Sequence, residues 1–148
     1  MKLKLLSSQL AALLITIAFI AGVASGCDSK TAKAAEQAAT AAAQNWLTEI
    51  DSGQYAQSWQ DASTLFQGAV SQQKWESELT TVRKPLGNLE SRNLEFAQYA
   101  TRLIGVPDGQ YVVMRFNTSF ANKKSAVETV TFMLETNGQW KPGGYFIK

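Results

Sequence analysis

The chain of 148 residues contains no histidine and a single cysteine, Cys27. Without an imidazole there is no Ser-His-Asp or Cys-His catalytic set and no histidine-ligated metal centre. One cysteine cannot form an internal disulfide or a multi-thiolate zinc site. The Asp and Glu residues are not clustered at the loop spacing that Ca²⁺ or Mg²⁺ binding requires, so neither metal nor cofactor is expected. Proline is scarce, with three residues, all beyond residue 84. The first half is therefore free to be helical. A long apolar run is also missing. The longest stretch, Leu10 to Val23, is short for a bilayer span, which needs about 20 residues.

That short stretch has a definite layout. Lys2 and Lys4 precede it and small residues follow, the order of a secretory signal peptide. Ala24-Ser25-Gly26-Cys27 resembles a bacterial lipobox, although Ala24 stands where leucine is commoner. The resemblance implies cleavage before Cys27, a thioether-linked diacylglycerol on its sulfur and a fatty acyl chain such as palmitate on the new N-terminus. Several acyl chains are what firm anchoring requires. Ordinary cleavage near Ala32-Lys33-Ala34, or an uncleaved anchor, are the alternatives. Asp28 resembles the signal that retains enteric lipoproteins at the inner membrane. These features predict a lipid-anchored protein of the cell envelope facing the periplasm. They divide the chain into a lipoprotein signal peptide (1–26), an acylated cysteine with its tether (27–34) and a single domain (35–148).

The positive net charge belongs to the leader. Beyond residue 26 the chain has 12 basic and 12 acidic residues, which argues against nucleic acid as a partner. Residues 28–82 hold 3 basic and 7 acidic side chains, and residues 83–148 hold 9 and 5. This asymmetry favours docking of the two halves. About 120 residues suit one domain with one core, and Trp46, Trp59, Trp75 and Trp140 supply much of its apolar area.

Periodicity divides this domain in two. Ala39, Ala42, Ala43, Trp46, Leu47 and Ile50 recur on one helical face, in an alanine-rich run that starts at Thr31. Asp51 has the position of an N-cap for a second helix carrying Tyr55, Trp59, Ala62 and Phe66. A third repeats Trp75, Leu79, Val82 and Leu86 until Pro85 and Gly87 stop it. The period then falls to two. Leu94, Phe96, Gln98 and Ala100 alternate loosely, whereas Val112, Met114, Phe116, Thr118 and Phe120 alternate cleanly. Val130, Phe132 and Leu134 follow, and Asn137-Gly138 is a strong hairpin signal leading into Trp140–Ile147. Pro142 and Gly143-Gly144 predict a last strand that lies at an edge or carries a bulge. The expected class is α+β, with three N-terminal helices on one face of a four-stranded antiparallel meander.

Several segments together resemble a family of bacterial envelope proteins, the domain of unknown function numbered 4019. They are Trp46-Leu47, Asp51-Ser52-Gly53-Gln54-Tyr55, Ser58-Trp59, Arg83-Lys84-Pro85-Leu86-Gly87, Ser91-Arg92, Pro107-Asp108-Gly109-Gln110-Tyr111, Phe116-Asn117-Thr118-Ser119-Phe120, Val127-Glu128-Thr129-Val130 and Gly144-Tyr145-Phe146-Ile147. The resemblance covers nearly all of the domain and implies no biochemical activity. The order of elements is similar to the cystatin-like cone of nuclear-transport-factor-two-like domains. Lys141-Pro142-Gly143 departs from the strand-like residues expected at that point.

Three groups of residues are candidates for function. Glu128 shares strand parity with Val130 and Phe132, which points a carboxylate at the core, where it must be paired or protonated. It is either a pocket acid, a structural partner of Arg83 or Arg92, or an exposed group near the start of its strand. Tyr55, Trp59, Trp75, Phe116 and Phe132 either line a cavity beside it or fill the core. Tyr111, Val113, Arg115, Val127, Thr129 and Thr131 share the opposite sheet face, which reads as a partner or dimer surface or as an ordinary solvent face. Arg83-Lys84 and Lys123-Lys124 read as solvated turn and helix-end charges, with contact to anionic lipid as the alternative. The expected function is a non-enzymatic binding or interaction module, whose partner is an envelope protein or a second copy. The alternative is a small-molecule binder or isomerase-like protein that uses Glu128 with Tyr55 or Tyr111.

Overall fold

The computed structural model describes residues 29–148, so the leader, Cys27 and Asp28 lie outside the described residues. The order of elements is α1 (Ser29–Asp51), α2 (Tyr55–Gln60), α3 (Thr64–Ala69), α4 (Gln72–Arg83), a 3₁₀ turn (Lys84–Leu86), β1 (Leu89–Ala100), β2 (Tyr111–Phe120), β3 (Lys123–Leu134) and β4 (Trp140–Ile147). The strands form one antiparallel sheet in the order β1-β2-β3-β4, and the helices cover one face. The class is α+β, as expected from the change of period. Among the described residues no helix is long and apolar enough to cross a membrane.

The helical half differs from expectation in three places. The first helix begins at Ser29, so most of the segment expected to be a tether is helical. Its alanines favour that conformation, but its first buried residue is Ala39. Asp51 is the last residue of α1 and does not cap α2. The chain stops at Gly53, whose φ of 74° is left-handed, with Gly53 N donating to Ile50 O and Gln54 N to Glu49 O. Those two bonds make a Schellman stop, and it leaves the Asp51 carboxylate free for other partners.

The expected second helix is two helices. The backbone turns at Asp61–Ser63, where Ser63 N donates to Pro142 O at 2.9 Å and Ser63 Oγ accepts from Phe66 N. Thr64 N donates to Glu135 at 2.8 Å, fixing the same corner to the β3–β4 hairpin. Tertiary anchors and a fresh N-cap thus outcompete continuation of the helix. Ser71 caps α4 by accepting from Lys74 N.

The face expected of β2 is the core face. Val112, Met114, Phe116, Thr118 and Phe120 are all buried, as are Ala126, Glu128, Val130 and Phe132 of β3. Three register shifts adjust the edge strands, the first between Leu89 and Ser91 at the start of β1. In β1 the register slips between Leu94 and Phe96, so these two residues face opposite ways and Ala97 and Tyr99 reach the core instead. In β4 it slips at Gly143, between Pro142, opposite Phe132, and Gly144, opposite Thr131. Pro142 lacks a donor that an edge strand does not need there, and its carbonyl is the one that holds Ser63. The edge of β1 is covered in turn by α1, because Tyr99 N donates to the Glu36 carboxylate at 3.0 Å.

The core is aromatic at its centre. Trp46 stacks on Trp75 with ring centroids 6.2 Å apart and meets Phe132 and Tyr145 edge-on at 6.1 and 5.8 Å. Each such pair adds about 0.5–1.5 kcal/mol beyond the area it buries. Fully buried Ser58 serves both tryptophans. Its carbonyl accepts from Trp46 Nε1 at 2.8 Å and its hydroxyl from Trp75 Nε1 at 3.0 Å. Trp59 Nε1 donates to Val70 O at 2.7 Å.

Candidate functional site

Glu128 is completely buried on the helix-facing side of β3. Arg92 of β1 reaches it across the intervening strand, donating from Nε to Oε2 at 2.6 Å and from Nη2 to Oε1 at 3.0 Å. Thr118 of β2 donates to Oε2 at 2.7 Å, and Tyr145 of β4 donates to Oε1 at 2.6 Å. Every strand of the sheet therefore contributes to this carboxylate. The Gly143 bulge matters here, because it brings Tyr145 opposite Val130 and so onto the core face. Unbroken alternation from Pro142 would have aimed Tyr145 outwards.

The same guanidinium also holds the helices. Arg92 Nη1 donates to Asp51 Oδ2 at 2.6 Å and Nη2 to Asp51 Oδ1 at 2.9 Å. Arg83, at the end of α4, donates from Nη2 to Asp51 Oδ1 at 2.7 Å, and its guanidinium lies 4.2 Å over the Phe120 ring. Arg83 is 5% exposed, so it occupies a core position instead of the solvated one expected. Its Nε and Nη1 have no hydrogen-bond partner among the described residues, and the ring face supplies a cation–π contact in their place. Two guanidinium and two carboxylate groups thus form a neutral chain from α4 through α1 to the sheet.

Electrostatics locks these charges in place. Burial pushes the Glu128 carboxyl up, but the Arg92 guanidinium, followed by the Tyr145 and Thr118 hydroxyls, outweighs it and leaves the group below its ordinary value. Burial, then the adjacent Glu128 charge, raises the Tyr145 phenol well above its usual range. Burial works against the Arg92 charge, yet hydrogen bonds to Asp51 and Glu128 raise its pKa on balance. None of these groups is tuned to exchange protons near neutral pH, which general acid–base work requires.

Of the three readings of Glu128, the geometry fits the structural partner, and the partner is Arg92. The phenol that meets it is Tyr145, not Tyr55 or Tyr111. Trp75, Phe116 and Phe132 lie in the packed core, with Tyr55 and Trp59 against it. Two open concavities of about 480 and 450 Å³ lie elsewhere, and of these five aromatic residues only Phe132 lines either one. Among the described residues there is no group of three acidic, histidine or cysteine side chains that could hold a metal ion.

The opposite sheet face is partly closed by the chain itself. Tyr111, Val113 and Thr131 are buried, while Arg115, Val127 and Thr129 are half-buried. Tyr111 donates its hydroxyl to Pro107 O at 2.6 Å, which pins the β1–β2 connection beside its ring. Arg115 pairs with Glu95, 2.9 Å away. Across the middle of this face, register sets Phe96, Arg115, Thr129 and Phe146 in one row. Phe146 is 44% exposed. Sequence reading missed Phe146 because the Gly143 bulge decides which way it points.

Asp51 and Tyr145 were also missed as members of the buried network, because Asp51 looked like a cap and Tyr145 lies beyond a bulge. Arg83, named as a possible partner of Glu128, binds Asp51 instead. The acidic residues Glu49 and Asp61 gave no signal, because they line one concavity only when the helices fold back on one another. A family model described as a protein of unknown function, DUF4019, matches residues 42–145. Neither a curated protein nor a solved structure matches the chain.

Proposed function

The chain belongs to the DUF4019 family, and from that premise we propose that it is a lipid-anchored interaction module of the cell envelope. Cys27 carries the lipid, Asp28 favours the inner membrane, and the α+β body faces the periplasm to bind a protein partner through its outer sheet face. The carrying observation is the row of Phe96, Arg115, Thr129 and Phe146, with a large aromatic ring exposed at its edge on a face that no helix among the described residues covers. The core beneath is filled by aromatic rings, and its buried charges are mutually neutralised. Both features suit a rigid platform.

The position of α1 supports the anchoring. The six residues before Ala35, the first to pack against the core, span about 9 Å at 1.5 Å per residue. This helical stalk begins two residues after Cys27 and carries Lys30 and Lys33, whose charge suits anionic headgroups. Native envelopes treated with a bifunctional cross-linker provide the test. A cross-linked species should form with the natural chain and be lost with Phe146→Asp at unchanged protein level. A monomer that captures nothing in either case would contradict the reading, and a homodimer would identify the partner as a second copy.

A further inference from the structure

The β1–β2 connection carries the most exposed large apolar side chain among the described residues. Ile104 is 72% exposed, and Leu103 and Val106 beside it are half-buried. A single exposed apolar residue is ordinary, but here the loop is built to hold it outwards. At the base, Gly109 N donates to Thr101 O at 3.0 Å, and Tyr99 donates its hydroxyl to Gln110 Oε1 at 3.2 Å. Arg102 pairs with Asp108 at 3.2 Å, and the Tyr111 hydroxyl holds Pro107 O. Gly105 turns the tip with a left-handed φ of 85°. A polar, pinned base thus presents an apolar tip to its surroundings.

Two contacts show where that tip lies relative to the anchor. Asp51, at the end of α1, binds Arg92 near the start of β1, and Glu36 accepts from Tyr99 N near the end of β1. The helix from Glu36 to Asp51 and the strand from Arg92 to Tyr99 each cover about 22 Å, so they run side by side in opposite directions. The start of α1 and the β1–β2 loop therefore leave the domain at the same end. Beyond Glu36 the helix continues about 10 Å further to Ser29, two residues after Cys27. The chain from Tyr99 to Ile104 can reach about 17 Å, enough to bring the tip level with Ser29.

We propose that the β1–β2 loop is a second membrane contact, inserting Ile104, with Leu103 and Val106 beside it, into the phospholipid leaflet that holds the lipid on Cys27. This contact rests on the anchoring proposed above. A small apolar tip binds a bilayer weakly by itself, but the anchor makes its insertion an intramolecular step at high effective concentration. Lys30, Lys33 and Arg102 are exposed at the same end, where cations meet lipid phosphates. The acids there, Asp108, Glu36 and Glu135, hold Arg102, Tyr99 N and Thr64, so apolar contact is the larger part of the interaction. Two points of attachment, unlike one tether, fix the tilt of the domain and the direction in which its outer sheet face is presented.

The test uses the full-length acylated chain in phosphatidylcholine–phosphatidylglycerol vesicles, with an environment-sensitive dye on the thiol of a Leu103→Cys variant. Vesicle flotation reads the anchoring separately. The floated protein should show a blue shift of the dye and loss of its emission to a spin-labelled lipid, and adding Ile104→Asp should abolish both. The same dye on a Lys84→Cys variant should report water throughout, because Lys84 lies beside the β2–β3 turn at the other end, where Asn122 N donates to Leu86 O. Flotation with a dye at residue 103 that stays in water would overturn the loop contact and leave the anchoring intact. A shift that survives Ile104→Asp, or a dye shielded in native envelopes but not in vesicles, would also overturn it, the latter by assigning the tip to a protein partner. Failure to float would remove the anchoring and the loop contact together.

Discussion

At the scale of single residues, Glu128 has the most at stake. Four donor groups from three other strands converge on its carboxylate, so removing it strands a buried guanidinium. Glu128→Ala or Arg92→Ala should cost about 3–5 kcal/mol in urea unfolding, the usual consequence of breaking one side of a buried pair. Tyr145→Phe removes one charge-assisted hydrogen bond and should cost about 1.5–3 kcal/mol. Losses of only a few tenths of a kcal/mol would mean that the network is not formed in solution. That Glu128 faces inwards was readable from strand parity alone. Its partners were not, because Arg92 lies between two register shifts in β1 and Tyr145 follows the one in β4.

Secondary-structure elements were legible where a regular period runs undisturbed. The five inward residues of β2, the Asn137-Gly138 hairpin and the apolar stripe of α1 were all evident from spacing. The break between α2 and α3 was hidden because its cause is tertiary, namely Pro142 O and Glu135 on a distant hairpin. Substituting the buried Ser63 with Ala removes the cap of α3 and should cost about 0.5–2 kcal/mol. Gly53→Ala should also destabilise, by about 1 kcal/mol, because its left-handed φ ends α1. Thermal unfolding monitored by circular dichroism checks both, and an unchanged Gly53→Ala protein would contradict the Schellman stop. Deleting Gly143 is the sharper element-scale experiment. Without the extra residue, Pro142, Gly144 and Tyr145 become regular neighbours opposite Phe132, Thr131 and Val130. Tyr145 should therefore stay on the core face and keep its hydrogen bond to Glu128, and the loss of stability should be smaller than for Tyr145→Phe.

For the whole molecule, two carboxylates give stability opposite pH dependences. Glu128 has a lowered pKa when folded, so its contribution is complete above the ordinary value of 4.5 and is lost as pH falls towards the folded value. Glu49 is raised to about 7, so the folded state holds the extra proton and stability falls as pH rises from 4.5 to 7. Maximal stability is therefore expected close to pH 5, with Glu49→Gln flattening only the neutral limb. A maximum at pH 8, or a neutral limb unaffected by Glu49→Gln, would refute this assignment. The uneven charge of the two halves, visible in the sequence, has a concrete counterpart here. Asp51 of the helical half binds Arg92 of the sheet half.

Under the proposed function, anchoring at Cys27 governs how the whole molecule is presented, with the exposed start of α1 nearest the membrane. The most direct measurement is the mass of the N-terminal peptide released from the protein in native membranes. The expected peptide begins at Cys27 and carries a diacylglyceryl group on sulfur and an acyl chain on its amino group. A peptide with an unmodified Cys27 thiol, or an N-terminus created by cleavage after Ala34, would contradict the account.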